Sequence, residues 1–122
     1  AERAVTSLLR RGEPVPGFHH PLYPDGDPRA APLLEWASDL AEREAWARID
    51  AVRATVQQTL GHPPTLDFGL VALARALDLP PNAPLLLFAL GRTAGWIAHA
   101  LEQYDRGELI RPRATYVGRR DW

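Results

Sequence analysis

Residues 83–106 read APLLLFALGRTAGWIAHALEQYDR. Apolar side chains recur through this stretch at helical steps, and the spacing predicts one long, mostly apolar helix that stops at Gly107. Arg92 interrupts the apolar stripe. Its neighbours at three- and four-residue steps are Leu85, Phe88, Ala89, Gly95, Trp96 and His99. Burying a guanidinium on such a face without an anion costs several kcal/mol. Three solutions satisfy it: an Asp or Glu of the fold, a side chain that snorkels to water, or the anionic group of a ligand. Gly91 and Gly95, four apart, leave room for another backbone to approach.

Working toward the N-terminus, Leu66, Leu70, Leu73 and Leu77 form a stripe stopped by Pro80-Pro81, and Ala45, Ile49, Val52, Val56 and Leu60 form another that ends at Gly61-His62-Pro63-Pro64. A third carries Leu33, Leu34, Trp36, Ala37, Leu40 and Ala41, and a fourth carries Ala1, Val5, Leu8 and Leu9 and ends before Gly12. Between these two lies GEPVPGFHHPLYPDGDP, residues 12–28, a proline- and glycine-rich loop longer than most connections, and loops of that length are often functional. Asp27-Pro28 reads as a helix start, an N-cap followed by Pro at the first helical position. Beyond the long helix, RPRATYVG has the β-branched and aromatic content of a short strand or extended arm. The expected fold class is all-α, a bundle of about five helices with a short extended tail.

Composition bounds the function. The 122 residues are 46% hydrophobic and 24% charged, which makes one globular domain at most. A net charge of −1 argues against nucleic-acid and anionic-membrane partners. The lack of cysteine excludes disulfides, thiolate metal sites and a cysteine nucleophile. No apolar run approaches the roughly 18–20 residues of a membrane span, no secretory leader opens the chain, and the expected compartment is cytoplasmic. All 14 cations are arginine, a bias that weakens inference from any one of them.

Few residues carry chemistry on pattern alone. His19 and His20 diverge in an extended loop and make a poor metal pair; no metal site is expected, and a general acid or base is the better use. Arg29, near the positive end of the helix read from Pro28, suits an anion, or is a solvated first-turn arginine. Asp67 is an N-cap, a first-turn acid or a catalytic base. Arg111 and Arg113 are an anion clamp or exposed charge, and His62 and His99 carry no signal. Together one His, one Asp and several Arg suggest acid–base chemistry on a substrate with more than one carboxylate.

These segments resemble the citrate synthase family. PGFHHPLYPDGDPRA, residues 16–30, is similar to its PGFGH…DPRA segment; TLDFGL resembles an NVDF-type segment; and LFALGRTAGWIAHALEQ followed by IRPRATYVG is similar to the family's C-terminal end. The resemblance covers essentially the whole chain, 1–122, and maps to the C-terminal third of a citrate synthase, mostly the small domain, with the large N-terminal domain absent. It implies condensation of acetyl-CoA with oxaloacetate to citrate and CoA, those two being substrates with no further cofactor. His20 falls on the histidine that contacts the oxaloacetate carbonyl and acts as an acid. Asp67 falls on the aspartate that removes a methyl proton from acetyl-CoA, and its place at an apolar helix start implies partial desolvation. Arg29, Arg92 and Arg111 fall on arginines that bind oxaloacetate and citrate carboxylates, the last reaching a partner subunit's site. Pro16, Gly17, Phe18 and His19 fall on the loop near CoA.

The departures are specific. GFGH reads GFHH, with His19 in place of the second glycine; the position four after His20, commonly basic, is Pro24; and the enol-stabilising histidine and a second oxaloacetate-contacting histidine of the large domain have no counterpart. The expected partners are therefore a large N-terminal domain, covalent or separate, and a dimer mate or higher self-association that covers apolar stripes such as Leu85–Leu90. The isolated chain is expected to be inactive. The alternatives are a non-catalytic relative that binds di- or tricarboxylates or acts as a helical interaction module, a 2-methylcitrate synthase, and a citryl-CoA lyase relative.

Overall fold

A computed structural model describes residues 2–109 and residue 111. Five helices follow one another: α1 (Glu2–Arg10), α2 (Ala30–Leu40), α3 (Arg43–Leu60), α4 (Leu66–Ala76) and α5 (Ala83–Arg106). The described residues form no strand, only isolated bridges at Phe18–Pro64 and His20–Tyr23. The fold class is all-α, as the stripes imply. Arg113 and all but Arg111 of the tail expected to be extended lie outside the described residues. The chain divides into two compact units, Ala1–Leu90 and Gly91–Trp122, with the boundary inside α5.

Two packing centres build the first unit. Val5 of α1 and Val56 of α3 are buried with Val15 and Phe18, and Leu8, Leu9, Val52, Leu60 and Phe68 pack against them. Val15 and Phe18 belong to the proline- and glycine-rich loop, so the loop is anchored by its own apolar side chains. The second centre joins α2 to α4, the most extensive helix pairing. It is made of small residues: Ala30 and Ala37 are buried on α2, and Gly69, Ala72 and Ala74 on α4. A Cβ on Gly69 would lie 3.0 Å from the Leu33 Cβ and 3.4 Å from the Ala30 Cα, so a larger residue would have to push α2 away by a few tenths of an ångström.

The helix ends follow the punctuation. Gly61 closes α3 in the left-handed conformation at φ 67°, and its N–H donates to the Gln57 carbonyl. Gly107 follows α5 at φ 61°. The start of α2 does not follow its signal. The helix begins at Ala30 with Arg29 at the N-cap, and Pro28 lies outside it. The Asp27 carboxylate accepts the Arg29 N–H just ahead of the helix, as an N-cap acid would, and is bound further, as described below.

None of α5's residues is buried, and Leu85 and Leu90 are about 70% exposed. The membrane reading needs a correction here. With 24 residues and a mean hydropathy of 1.2 over its most apolar 18, α5 is long and apolar enough to cross a membrane by length and composition. The helix stays apolar on either side of Gly91-Arg92-Thr93, which no search for an uninterrupted run detects.

Candidate active site

Three ties draw the loop of residues 16–29 onto the start of α4. The first is a short antiparallel pairing: the His19 N–H donates to the Pro63 carbonyl at 3.0 Å, and the Thr65 N–H donates to the Gly17 carbonyl at 2.9 Å. Gly17 takes φ +82°, and a Cβ there would lie 3.1 Å from the Phe68 Cβ, so both conformation and contact favour glycine. The second tie is aromatic, Phe18 against Phe68 with ring centroids 4.6 Å apart. The third is the Asp27 carboxylate.

Asp27 is buried, its side chain wholly removed from water. Oδ1 accepts from the Arg29 backbone N–H at 3.0 Å and from Arg29 Nε at 2.9 Å. Oδ2 accepts from Arg29 Nη2 at 2.9 Å and from the Leu66 N–H, at the start of α4, at 2.9 Å. One carboxylate thus holds a bidentate arginine and satisfies an orphan donor at the N-terminus of a helix 39 residues away. The Arg29 hydrogen bonds hold its pKa down to about 2 from 3.8; burial pushes the other way, and the Leu66 and Arg29 N–H groups add to the depression. Because the folded value lies below the unfolded one, Asp27 stabilises the fold above about pH 4, and that contribution is lost as pH falls toward 2. The contribution is about 2 kcal/mol. The stability advantage of the native chain over Asp27→Asn, measured by urea unfolding, should shrink by that amount between pH 5 and pH 2.

Arg29 is half-exposed, its guanidinium 5.0 Å from the centre of the Tyr23 ring. The hydrogen bonds to Asp27 raise its pKa most, and the charge of Asp67 adds to the rise. The other face of the cluster is His20. Its ring centroid lies 5.2 Å from that of Tyr23, and the Tyr23 N–H donates to the His20 carbonyl at 2.9 Å. The Leu22 N–H donates to His20 Nδ1 at 3.1 Å. An accepting Nδ1 carries no proton, so neutral His20 holds its proton on Nε2.

Asp67 is the second residue of α4, in its first turn. It is exposed, and its one hydrogen bond among the described residues is a long one, 3.4 Å from the Thr65 hydroxyl, which donates. The expected desolvation is corrected: Asp67 is exposed, while its neighbour Phe68 turns to Phe18 and the core. His19 is exposed at φ 60° and stacks on His62 with centroids 4.8 Å apart. The left-handed backbone is a reason for glycine at this position, and His19 occupies it with its own backbone and ring tied down. Of the other residues placed near CoA, Pro16 is exposed and the Phe18 side chain is in the core.

Arg92 and Arg111 lie in the second unit, and both are exposed. The premise that Arg92 is buried on an apolar face is corrected, because that face is itself open. Among the described residues no carboxylate pairs with it. The Arg92 guanidinium lies over Gly95, one turn along, where a Cβ would stand 3.2 Å from Nη1. Nothing lies within 4 Å of where a Gly91 Cβ would stand.

The first unit therefore assembles His20, Tyr23, Asp27, Arg29 and Asp67 within one layer of loop and helix start. The sequence reading misses Tyr23 and treats Asp27 as a cap. The signal for Asp27 is an acid two residues before an arginine, the spacing at which a side chain can accept from both backbone and guanidinium. A groove of about 780 Å³ between α3 and α4, lined by Ile49, Val52 and Phe68 among others, contains none of the candidate acid, base or arginine residues. Among the described residues no cluster of three or more His, Asp or Glu could hold a metal.

Comparison with known proteins bears on what this layer does. Residues 1–113 match the family model described as citrate synthase, C-terminal domain. The chain is 35% identical over 122 residues to citrate synthase 2 of Bacillus subtilis (strain 168), covering 97% of this chain and 33% of that protein. It is 37% identical over 121 residues to the citrate synthase of Haloferax volcanii, covering 96% and 32%. It is 32% identical over 122 residues to the 2-methylcitrate synthase of Shewanella oneidensis, covering 97% and 32%. The chain spans about a third of the length of these relatives.

Proposed function

Because the chain belongs to the citrate synthase family, we propose that it supplies the part of an active site that binds oxaloacetate, donates a proton to its ketone and takes one from the acyl-CoA methyl group. The observation that carries this reading is the convergence of His20, Arg29 and Asp67 on one layer of the first unit, at the positions where the family motifs put an acid, an anion-binding arginine and a base.

The steps balance on these residues. The Asp67 carboxylate takes a proton from the methyl carbon of acetyl-CoA, and the resulting enolate carbon forms a bond to the ketone carbon of oxaloacetate. The ketone oxygen takes the proton from His20 Nε2. Water then cleaves the thioester of citryl-CoA to citrate and free CoA. Arg29, Arg92 and Arg111 neutralise the carboxylates, which lowers the cost of bringing an enolate to an anionic acceptor and fixes the ketone in register. The histidine that stabilises the enol would come from the rest of a citrate synthase chain, which would also cover the open apolar face of α5. Turnover needs that remainder, and Arg111 serves a second copy.

The test is calorimetric titration of the natural protein that contains this chain with oxaloacetate, beside Arg92→Ala. Losing a charge-assisted carboxylate contact should weaken binding at least about tenfold. Unchanged affinity in the variant would overturn the role of Arg92, and no affinity in either protein would favour a non-catalytic relative. A second reading, propionyl-CoA as the acyl donor, is favoured by the likeness to a 2-methylcitrate synthase. Release of free CoA thiol from acetyl-CoA against propionyl-CoA decides between them.

A further inference from the structure

We propose that Asp27 is a positioning residue that locks Arg29 and the Asp67-bearing start of α4 into one register. This inference rests on the site reading above and deepens it.

The carboxylate is saturated. It accepts four hydrogen bonds, all between 2.9 and 3.0 Å, three from Arg29 and one from Leu66. Four is its full capacity, so Asp27 has no lone pair left for a ligand, and its buried side chain touches no solvent. It therefore acts through what it holds. On the arginine side it takes the Nε–Nη2 edge of the guanidinium. A guanidinium has five N–H donors in a fixed fork, so three remain, two of them on Nη1. Tyr23 lies across one face of the group. With one edge and one face fixed, the plane of Arg29 is set before any ligand arrives, and the free edge is the one left for a substrate carboxylate. A free arginine would lose side-chain entropy on binding, and this one has already lost it to the fold.

On the helix side Asp27 anchors the backbone of Leu66, the residue before Asp67. The same carboxylate thus sets where α4 begins relative to Arg29, and with it the separation between the dicarboxylate arm and the base. A purely structural acid would cap the helix or pair the arginine; bridging both couples two functions assigned to different steps.

The experiment is a double-mutant cycle in the natural protein that contains this chain, using Asp27→Asn and Arg29→Ala, with KM for oxaloacetate and kcat measured well below the unfolding temperature. Asn at position 27 turns an amide N–H₂ toward one of the donors and breaks the four-bond set. Asp27→Asn should raise KM about tenfold, and the double variant should lie within about twofold of Arg29→Ala alone, because an Asp27 acting through Arg29 has nothing further to lose. A structural role alone would lower the unfolding temperature and leave KM unmoved. Losses that simply multiply, or an Asp27→Asn variant with native KM, overturn the proposal. If Arg29→Ala itself leaves KM unchanged, the assignment of Arg29 as a substrate arm fails, and Asp27 as its positioner fails with it. Should Asp27→Asn not fold, Asp27→Glu decides the question. It keeps the charge but is one methylene too long to hold both partners, and the same cycle applies.

Discussion

Replacing Asp67 by Asn should reduce turnover of the natural protein by about 10²–10⁴-fold, the range expected for losing a positioned general base, while its unfolding temperature barely moves. Both halves of this expectation come from the same geometry. Asp67 is exposed, and its one hydrogen bond among the described residues is long, at 3.4 Å. A carboxylate so weakly engaged contributes to the fold mainly through its position in the first turn of α4, worth about 0.3–1 kcal/mol against the helix dipole. Asn is accepted in a first turn and keeps the shape. If Asp67 were only a first-turn acid, the variant would show the small stability loss and native turnover. The two roles thus predict opposite pairs of results from one protein, read by release of free CoA thiol and by thermal unfolding followed by circular dichroism. More than a tenth of native activity in Asp67→Asn would remove it as the base.

The helices were legible in the sequence because their apolar stripes and stops are local. Five stripes and the glycine or proline breaks around them give five helices, and Gly61 and Gly107 take the left-handed conformation that ends α3 and α5. What was illegible is what depends on contacts distant in sequence. Asp27-Pro28 carries the local signature of an N-cap, and its carboxylate does accept the Arg29 N–H, yet it also binds the Arg29 guanidinium and the start of a helix 39 residues away, and the regular helix starts at Ala30. No periodicity encodes that pairing. The burial of Val15 and Phe18 was hidden for the same reason, since two apolar residues among prolines show no period.

Arg92 illustrates a different limit. Its apolar neighbours imply a buried face, but Leu85, Phe88, Trp96 and Ile97 are all exposed. A stripe says that a face is suited to burial and does not say what covers it. For a chain that spans about a third of its relatives' length, the cover need not be among its own residues. The candidate acid, base and arginines came from motif resemblance. Residue pattern alone left each of them open, and the structure adds Tyr23 and Asp27 as the groups that connect His20, Arg29 and the start of α4.

His20 offers the second large effect, and here the hydrogen bonds allow two functions of one ring to be separated. Its Nδ1 accepts the Leu22 N–H, and the turn is closed by the Tyr23 N–H on the His20 carbonyl. The ring is thereby oriented by its own loop, with Nε2–H as the donor available to a ketone oxygen. Asn at this position places a carbonyl near the site of Nδ1 and can keep the turn, but it has nothing at Nε2. Gln reaches the Nε2 position with an N–H₂ that donates a hydrogen bond and does not release its proton. His20→Gln should therefore bind oxaloacetate within a few-fold of the native protein and lose about 10²–10⁴-fold in turnover, whereas His20→Asn should lose affinity as well. Calorimetric titration with oxaloacetate and the rate of CoA release give the two quantities. Native turnover in His20→Gln would mean that a neutral hydrogen bond to the ketone suffices, and the proton delivered to the new alkoxide must then come from water or another side chain. Loss of turnover with binding retained assigns the proton to His20.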